Sequence, residues 1–532
     1  MSSVTELPAG WAWALVDELA SLVQYGSSAK TNDETKDVPV LRMGNIVDGR
    51  LDTTNLKFLP STHGEFPELL LQPGDLLFNR TNSPELVGKT AVYAGRPNPC
   101  SFASYLIRVR VNDACLPSYL AGYINSYFGR EWVASVVTQQ VGQANVNGSK
   151  LRNLRVSLPP RSEQYRIVAA IEQHLSDIDA GVASLERVLA NLKRYRAAVL
   201  KAACEGRLVP TEAELAKKEG REYEHGDVLL RRMLVERRAR WEADQLSKMK
   251  TKGQVHRDER WKLKYEEPKN PDVSGLSKLP EGWAWAKLAS VADVQLGQQR
   301  APVHAAAEVT YPYVRAANIT WHGIDLSDVK QMGFPDPERY RLAPGDVLLS
   351  EASGSPSEVG KPAIWRGEIP GCCYQKTLLR VRSYYPELTP EWLHLGFMRD
   401  ALLGRFAKMA PGVGILHLTA ERMLEWPVAV APVAEQRRIL AEVARLQSIT
   451  DEMEQVVNVQ LARAQRLRQS VLKRAFEGKL VPQDPNDEPA IALLDRIRAA
   501  RSNASAANSS GRTSRSGRAK VLQADEGGFD DG

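Results

Sequence analysis

The 532-residue chain is poor in the residues that mark special chemistry or location. Its eight histidines are scattered singly, His63, His304 and His417 among them, and read as surface or satisfied core residues. Its five cysteines (Cys100, Cys115, Cys204, Cys372, Cys373) form no Cys-x-x-Cys pair and no ligand spacing with those histidines. That argues against a zinc module and leaves reduced, buried thiols as the ordinary account. No apolar run approaches the roughly 20 residues that cross a bilayer. The opening MSSVTELPAGWAW lacks the basic start and apolar stretch of a secretion signal, so a cytoplasmic location is expected. Nor does one sign of charge dominate: 70 Lys and Arg against 64 Asp and Glu give a net +6, which permits a nucleic-acid partner without demanding one.

Catalytic motifs are missing too. SPELVGKT (83–90) ends like a phosphate loop, but Ser83 stands where glycine is needed, and the related stretch further on has Ser355 there and Pro362 after Lys361. A polar turn is the better reading. PGVG (411–414) is no dinucleotide fingerprint, and no amino-methyltransferase quartet, nuclease signature or metal signature is found. No enzyme activity and no bound cofactor or metal are expected.

What the sequence does have is itself, twice. LPAGWAW at residue 7 returns as LPEGWAW at residue 279, and 279 − 7 = 272. PGDLLFNR (73–80) returns as PGDVLLSE (344–351), LIRVR (106–110) as LLRVR (378–382), EQYRIVAAI (163–171) as EQRRILAEV (435–443), and VLKAACEGRLVP (199–210) as VLKRAFEGKLVP (471–482). The offset stays within one residue of 272, so one large unit is tandemly duplicated. A period this long is a domain plus an appendage and excludes a solenoid.

Within a copy the texture changes once. The first part alternates short apolar segments with Gly and Pro, as in YLIRVRV (105–111), and predicts mixed α and β structure. One helix is predicted over 118–137. From Ile167 the apolar positions Ile171, Leu175, Ile178, Val182, Leu185, Leu189, Leu192 and Val199 follow a near-heptad seam, and the second copy repeats it with Ile439, Val443, Leu446, Met453, Val457, Leu461, Ala464 and Val471. Two long helices follow, entered after Pro159, Pro160 and Pro432 and ended at Gly206 and Gly478. A charged helix with Val228, Leu229, Met233 and Leu234 at helical spacing is predicted over 226–250, with a shorter echo over 490–502, both on the outside. The Ser-, Ala- and Arg-rich end is expected to be disordered.

Between the copies the frame is constant and two stretches diverge. FNRTNSPELVGK and TQQVGQANVNGSK in the first copy offer Arg80, Asn82, Lys89, Gln139, Gln140, Gln143, Asn145, Asn147 and Lys150. The second copy offers Ser353, Ser355, Lys361, His417 and Arg422. Arg suits guanine, Asn and Gln suit adenine, and Lys suits phosphate, so these are candidate DNA-binding residues, set against the plainer reading of solvated polar loops. Arg108, Arg110, Arg380 and Arg382 carry the same two readings, whereas Trp11, Trp13, Trp283 and Trp285 read as core anchors.

The order of these pieces resembles the specificity (S) subunit of type I restriction-modification enzymes, over nearly the whole chain. The strings carrying the likeness are GDLLFNRTNSPELVGK with GDVLLSEASGSPSEVGK, GQANVNGSKL, the LPPRSEQYRI and APVAEQRRI helix entries, and EGRLVP with EGKLVP and QDPNDEPA. The resemblance implies an α+β fold with two target recognition domains, each reading half of an asymmetric bipartite DNA site, separated by two long antiparallel coiled-coil helices that set the gap. It lays the chain out as a first recognition domain (1–157), first spacer helix (158–210), charged insert (211–278), second recognition domain (279–429), second spacer helix (430–482), and a short helix with a disordered tail (483–532). The implied partners are double-stranded DNA, two modification subunits that methylate adenine with S-adenosylmethionine, and restriction subunits that use ATP and Mg, in a system of phage defence. A stand-alone bipartite DNA-binding protein and a protein-binding scaffold remain the rival readings. Steep weakening of binding with salt separates DNA readers from the scaffold.

Overall fold

The computed structural model describes residues 6–32, 36–83, 86–140, 143–251, 259–305, 307–353, 355–409 and 416–516. They group into two units, one of Met1–Glu186 with Asn458–Gly532, the other of Arg187–Val457. Each unit therefore draws on residues from both copies of the repeat.

In unit 1, a four-stranded antiparallel sheet runs in the order Ala20–Tyr25, Leu106–Val111, Leu76–Asn79, Thr90–Val92. Leu106, Ile107, Arg108 and Val109 are all buried, so both faces of this central strand are covered. A short ladder of Ala12–Leu15 on Arg155–Leu158 brings the LPAGWAW stretch beside the entry of the first long helix, Arg161–Cys204. There Trp11 donates its indole N–H to Glu163 Oε2 at 3.0 Å. The predicted helix over 118–137 is two helices, Pro117–Asn125 and Tyr127–Val136. The break is at Ser126, whose backbone N–H and hydroxyl both donate to the Tyr123 carbonyl and so cap the first helix, leaving Tyr127 exposed.

Unit 2 has the same order of parts. Its sheet runs Ala292–Leu296, Leu378–Ser383, Val347–Ser350, Pro362–Ile364, and Ala284–Lys287 pairs with Pro427–Val430. Trp283 donates to Glu435 Oε1 at 3.0 Å, beside the entry of the second long helix, Val433–Phe476.

The long helices end as their glycines predict. Arg207 N–H bonds Ala202 O and Gly206 N–H bonds Ala203 O, a Schellman closure with Gly206 at φ +63°; Lys479, Arg474, Gly478 and Ala475 repeat it with φ +68°. In unit 1 a Cβ on Gly478 would lie 2.5 Å from Pro8, and in unit 2 one on Gly206 would lie 2.4 Å from Pro280. Each LPxGWAW turn thus packs on a helix end from the other copy. The helices run antiparallel in both units: Ile167 and Ile171 share a core with Leu472 and Phe476, and Arg196 pairs with Asp451 and Glu454.

Two expected apolar contact positions need correction, one in the seam and one in the charged helix. Met453 is exposed, and Thr450 is buried in the stripe that it was expected to fill, accepting a bond from Arg196 Nε at 3.1 Å. Val228 is likewise exposed, while Leu229, Leu230 and Met233 of helix Gly226–Thr251 are buried in unit 2. That helix starts with Gly226 N–H on Gly282 O, and its echo with Ala490 N–H on Gly10 O. The echo is longer than expected and runs Ala490–Ser516, a stretch with no proline to interrupt it; residues 517–532 lie outside the described part. The five cysteines are free and buried. Among the described residues no helix is long and apolar enough to cross a membrane.

Burial pushes the Glu163 carboxyl above its usual range, against the Trp11 bond and Arg166, which lower it. A carboxyl raised on folding makes the folded state hold more protons than the unfolded, so stability falls as pH rises through that window. Glu163→Gln keeps an acceptor for Trp11 and removes the titration. Urea unfolding should show the variant gaining on the wild type as pH rises from the acid carboxylate range towards neutrality; parallel profiles would remove Glu163 from the pH response.

Candidate nucleic-acid interface

Among the described residues no cluster of His, Cys, Asp and Glu could hold a metal. The diverged stretches come together in unit 1 as a three-stranded sheet of Thr138–Gln140, Gln143–Asn145 and Thr81–Asn82. It carries Asn82, Gln139, Gln140, Gln143 and Asn145 directly, with Arg80 at its edge; the side chains of Gln139, Gln140 and Gln143 lie outside the described part.

Arg80 lays its guanidinium over the Tyr25 ring, 4.8 Å from the centroid. Tyr25 is itself exposed and accepts the Gly148 N–H at 2.7 Å, so ring and loop hold each other. A guanidinium stacked on an aromatic face has its plane fixed before any partner arrives, which lowers the entropy cost of a bidentate contact. Asn145 Nδ2 donates to Thr81 Oγ1 at 3.1 Å, and Asn82 Oδ1 accepts from Ser83 N–H at 2.8 Å. Both amides keep further hydrogen-bonding capacity.

Other predicted residues are spent locally. Asn147 caps helix Gly148–Arg152 by accepting the Lys150 N–H at 2.8 Å. Lys150 Nζ donates to Val136 O at 2.5 Å and to Thr138 Oγ1 at 2.7 Å, fixing the loop to a helix end. Lys89 is half-buried in the turn that returns the chain to the sheet.

In unit 2 the described part of the corresponding ladder is Ala352–Ser353 on Leu416–His417. His417 is half-exposed and its Nδ1 lies 2.9 Å from Glu351 Oε1. Ser355 Oγ meets Ser357 Oγ at 2.9 Å, and the side chain of Ser353 lies outside the described part. Lys361 is buried, pairs with Glu358 and sits 5.9 Å from the Trp321 ring centroid, which commits its charge inside the protein. Arg422 is half-buried in helix Ala420–Leu424, capped by Thr419. Residues 410–415, with the PGVG stretch, lie outside the described part.

The strand arginines are structural. Arg110 makes two bonds to Asp75, at 2.7 and 2.8 Å, and Arg382 makes two to Asp346, at 2.6 and 2.7 Å. Trp11 and Trp283 are buried, and Trp13 is half-buried under the Arg155 guanidinium at 4.9 Å. Sequence reasoning missed Tyr25 and Glu351. Glu351 had a signal, since PGDLLFNR returning as PGDVLLSE sets a glutamate against Arg80; Tyr25 had none, since only the fold brings residue 25 to residue 80.

The chain is similar to known proteins. Residues 13–187 match the type I restriction modification DNA specificity domain. Over 521 residues the chain is 25% identical to the type I restriction enzyme EcoKI specificity subunit of Escherichia coli (strain K12), covering 94% of this chain and 97% of that protein. It is 24% identical to the StySPI specificity subunit of Salmonella potsdam, with 93% and 96% covered. A solved chain from work on complex assembly and conformational transition of the type I R-M system superposes with a TM-score of 0.56 at 19% identity, covering 89% of this chain and 99% of that one.

Proposed function

Because the chain belongs to the specificity subunits of type I restriction-modification enzymes, and so is a DNA sequence-recognition subunit, we propose that it reads an asymmetric bipartite site with two recognition domains, residues 1–157 and 279–429. The observation that carries this is a repeated frame with unlike loops. Trp11–Glu163 and Trp283–Glu435 fasten the two frames alike, as do Arg110–Asp75 and Arg382–Asp346. The loops on those frames differ in the groups that discriminate base edges: Arg80, Asn82 and Asn145 on one, His417 on the other.

Two readers held by one chain need a spacer, and the 44-residue helices Arg161–Cys204 and Val433–Phe476 supply it. At 1.5 Å per residue each is roughly 65 Å long, enough to set a fixed gap between half-sites. The same helices dock the two modification subunits. Those subunits flip and methylate adenine with S-adenosylmethionine, and restriction subunits with ATP and Mg translocate and cut; this chain contributes position and sequence choice, and no catalytic group.

Methylome sequencing of the host with and without the gene tests this. Loss of adenine methylation at one split, asymmetric motif is the expected result. An unchanged methylome would overturn the assignment for a host with active modification subunits.

A further inference from the structure

Arg80 and Glu351 occupy the same place in the two frames. The Arg80 N–H bonds Tyr105 O at 3.0 Å and its carbonyl accepts Val146 N–H at 2.9 Å; the Glu351 N–H bonds Thr377 O at 2.8 Å and its carbonyl accepts Leu418 N–H at 2.7 Å. The strand neighbours match as well: Thr81 faces Asn145 and Ala352 faces His417. The backbone is therefore equivalent and the side chains are not. A donor-only guanidinium beside an amide becomes a carboxylate beside an imidazole.

The carboxylate is the inner member of this pair, with 10% of its side chain exposed against 53% for His417. A carboxylate so placed needs a hydrogen-bonding partner, and His417 Nδ1 is 2.9 Å away. With Nδ1 committed, the ring is fixed and Nε2 is left, without a partner among the described residues. A carboxylate that holds one ring nitrogen of a histidine aims the other, a device for presenting one polar atom in one direction.

We propose that Glu351 and His417 are the second domain's base-reading pair, the counterpart of Arg80 and Asn145, with His417 Nε2 meeting a base edge and Glu351 acting as its positioning residue. This rests on the DNA-reading assignment above. It goes further in separating the half-sites by chemistry: the first is met by guanidinium and amide, the second by an imidazole on a carboxylate.

The test is methylome sequencing of hosts carrying the full chain, with its modification subunits, as wild type, His417→Ala, Glu351→Gln, Glu351→Ala and Arg80→Ala. His417→Ala should keep the first half-site and the gap while discrimination at one base pair of the second half-site falls roughly tenfold. Glu351→Ala should relax the same base pair, and Glu351→Gln less so, because its amide oxygen still accepts the Nδ1 proton. Arg80→Ala should relax a position in the first half-site alone. Retention of the first half-site reports folding in the same cells. A strict, unchanged second half-site in both His417→Ala and Glu351→Ala would overturn the pair while leaving the DNA-reading assignment intact; absence of any split motif in the wild type would overturn both.

Discussion

Asp75→Ala should destabilise unit 1 by about 3–5 kcal/mol, the range for removing one partner of a buried ion pair. Asp75 is fully buried and takes both of its bonds to Arg110 while its Oδ2 also accepts the Gln72 N–H at 2.8 Å. The deeper consequence is for Arg108, whose side chain is 2% exposed and whose Nη1 is 3.7 Å from Asp75. Burial lowers the Arg108 pKa and Asp75 raises it, so the carboxylate offsets the cost of holding that charge inside. Carbonyls of Leu70 and Glu68 at 2.8 Å would remain as acceptors, but no counter-charge would.

The equivalent change in unit 2 should cost less, about 1–3 kcal/mol for lost hydrogen bonds, because the arginine it leaves unpaired can be hydrated. Arg382, the partner of Asp346, is 40% exposed, and the buried Arg380 takes a different carboxylate, Asp293. Urea unfolding of the full chain, followed by a probe in each unit, measures both. Equal losses would mean that the charge of Arg108 is balanced by something other than Asp75.

This asymmetry marks where sequence stops being readable. The frame was legible because it is written twice: the Trp anchors, the proline entries and the glycine ends of the long helices each recur at one offset, and a residue that recurs in place of a neighbour that changes has a structural duty. The loops were legible by location and less so by role. Asn147 and Lys150 have the chemistry of base and phosphate readers, yet local partners three residues or one helix end away claim them first. Glu351 looked ordinary until the backbone showed it standing in the place of Arg80. Met453 fitted the heptad arithmetic, but a polar stripe of Arg196, Thr450 and Asp451 takes the seam there, and spacing cannot foresee a side chain supplied by the other copy. The crossed packing, in which each LPxGWAW turn receives a helix end from the other copy, is a property of topology that no local pattern encodes.

That crossed packing carries the last prediction. Phe476, at the end of the second long helix, is 2% exposed in unit 1 and meets Tyr119 and Tyr123 edge-on at 5.2 and 5.3 Å. Phe476→Ala should therefore cost unit 1 about 3–5 kcal/mol, from lost burial and the cavity left between two tyrosines. Its counterpart at the end of the first helix is Cys204, buried in unit 2 against the Leu395 carbonyl, and Cys204→Ala should cost about 1 kcal/mol, as for one heavy atom. The difference is compensated across the contact. Unit 1 sets Gly122 under its large ring, where a Cβ would come within 3.1 Å of Phe476, while unit 2 has Leu395, whose carbonyl lies 3.8 Å from the Cys204 thiol, and Trp392 in the same core as that small side chain. The glycine is costly in a helix, by roughly 1 kcal/mol against alanine, and the ring it admits is the reason for it. It follows that Phe476→Cys combined with Gly122→Leu should recover part of the stability lost by Phe476→Cys alone, because the pair rebuilds in unit 1 the fit of unit 2. Thermal unfolding of the singles and the double measures the coupling; losses that simply add would show that the two ends are sized independently of the helices they meet.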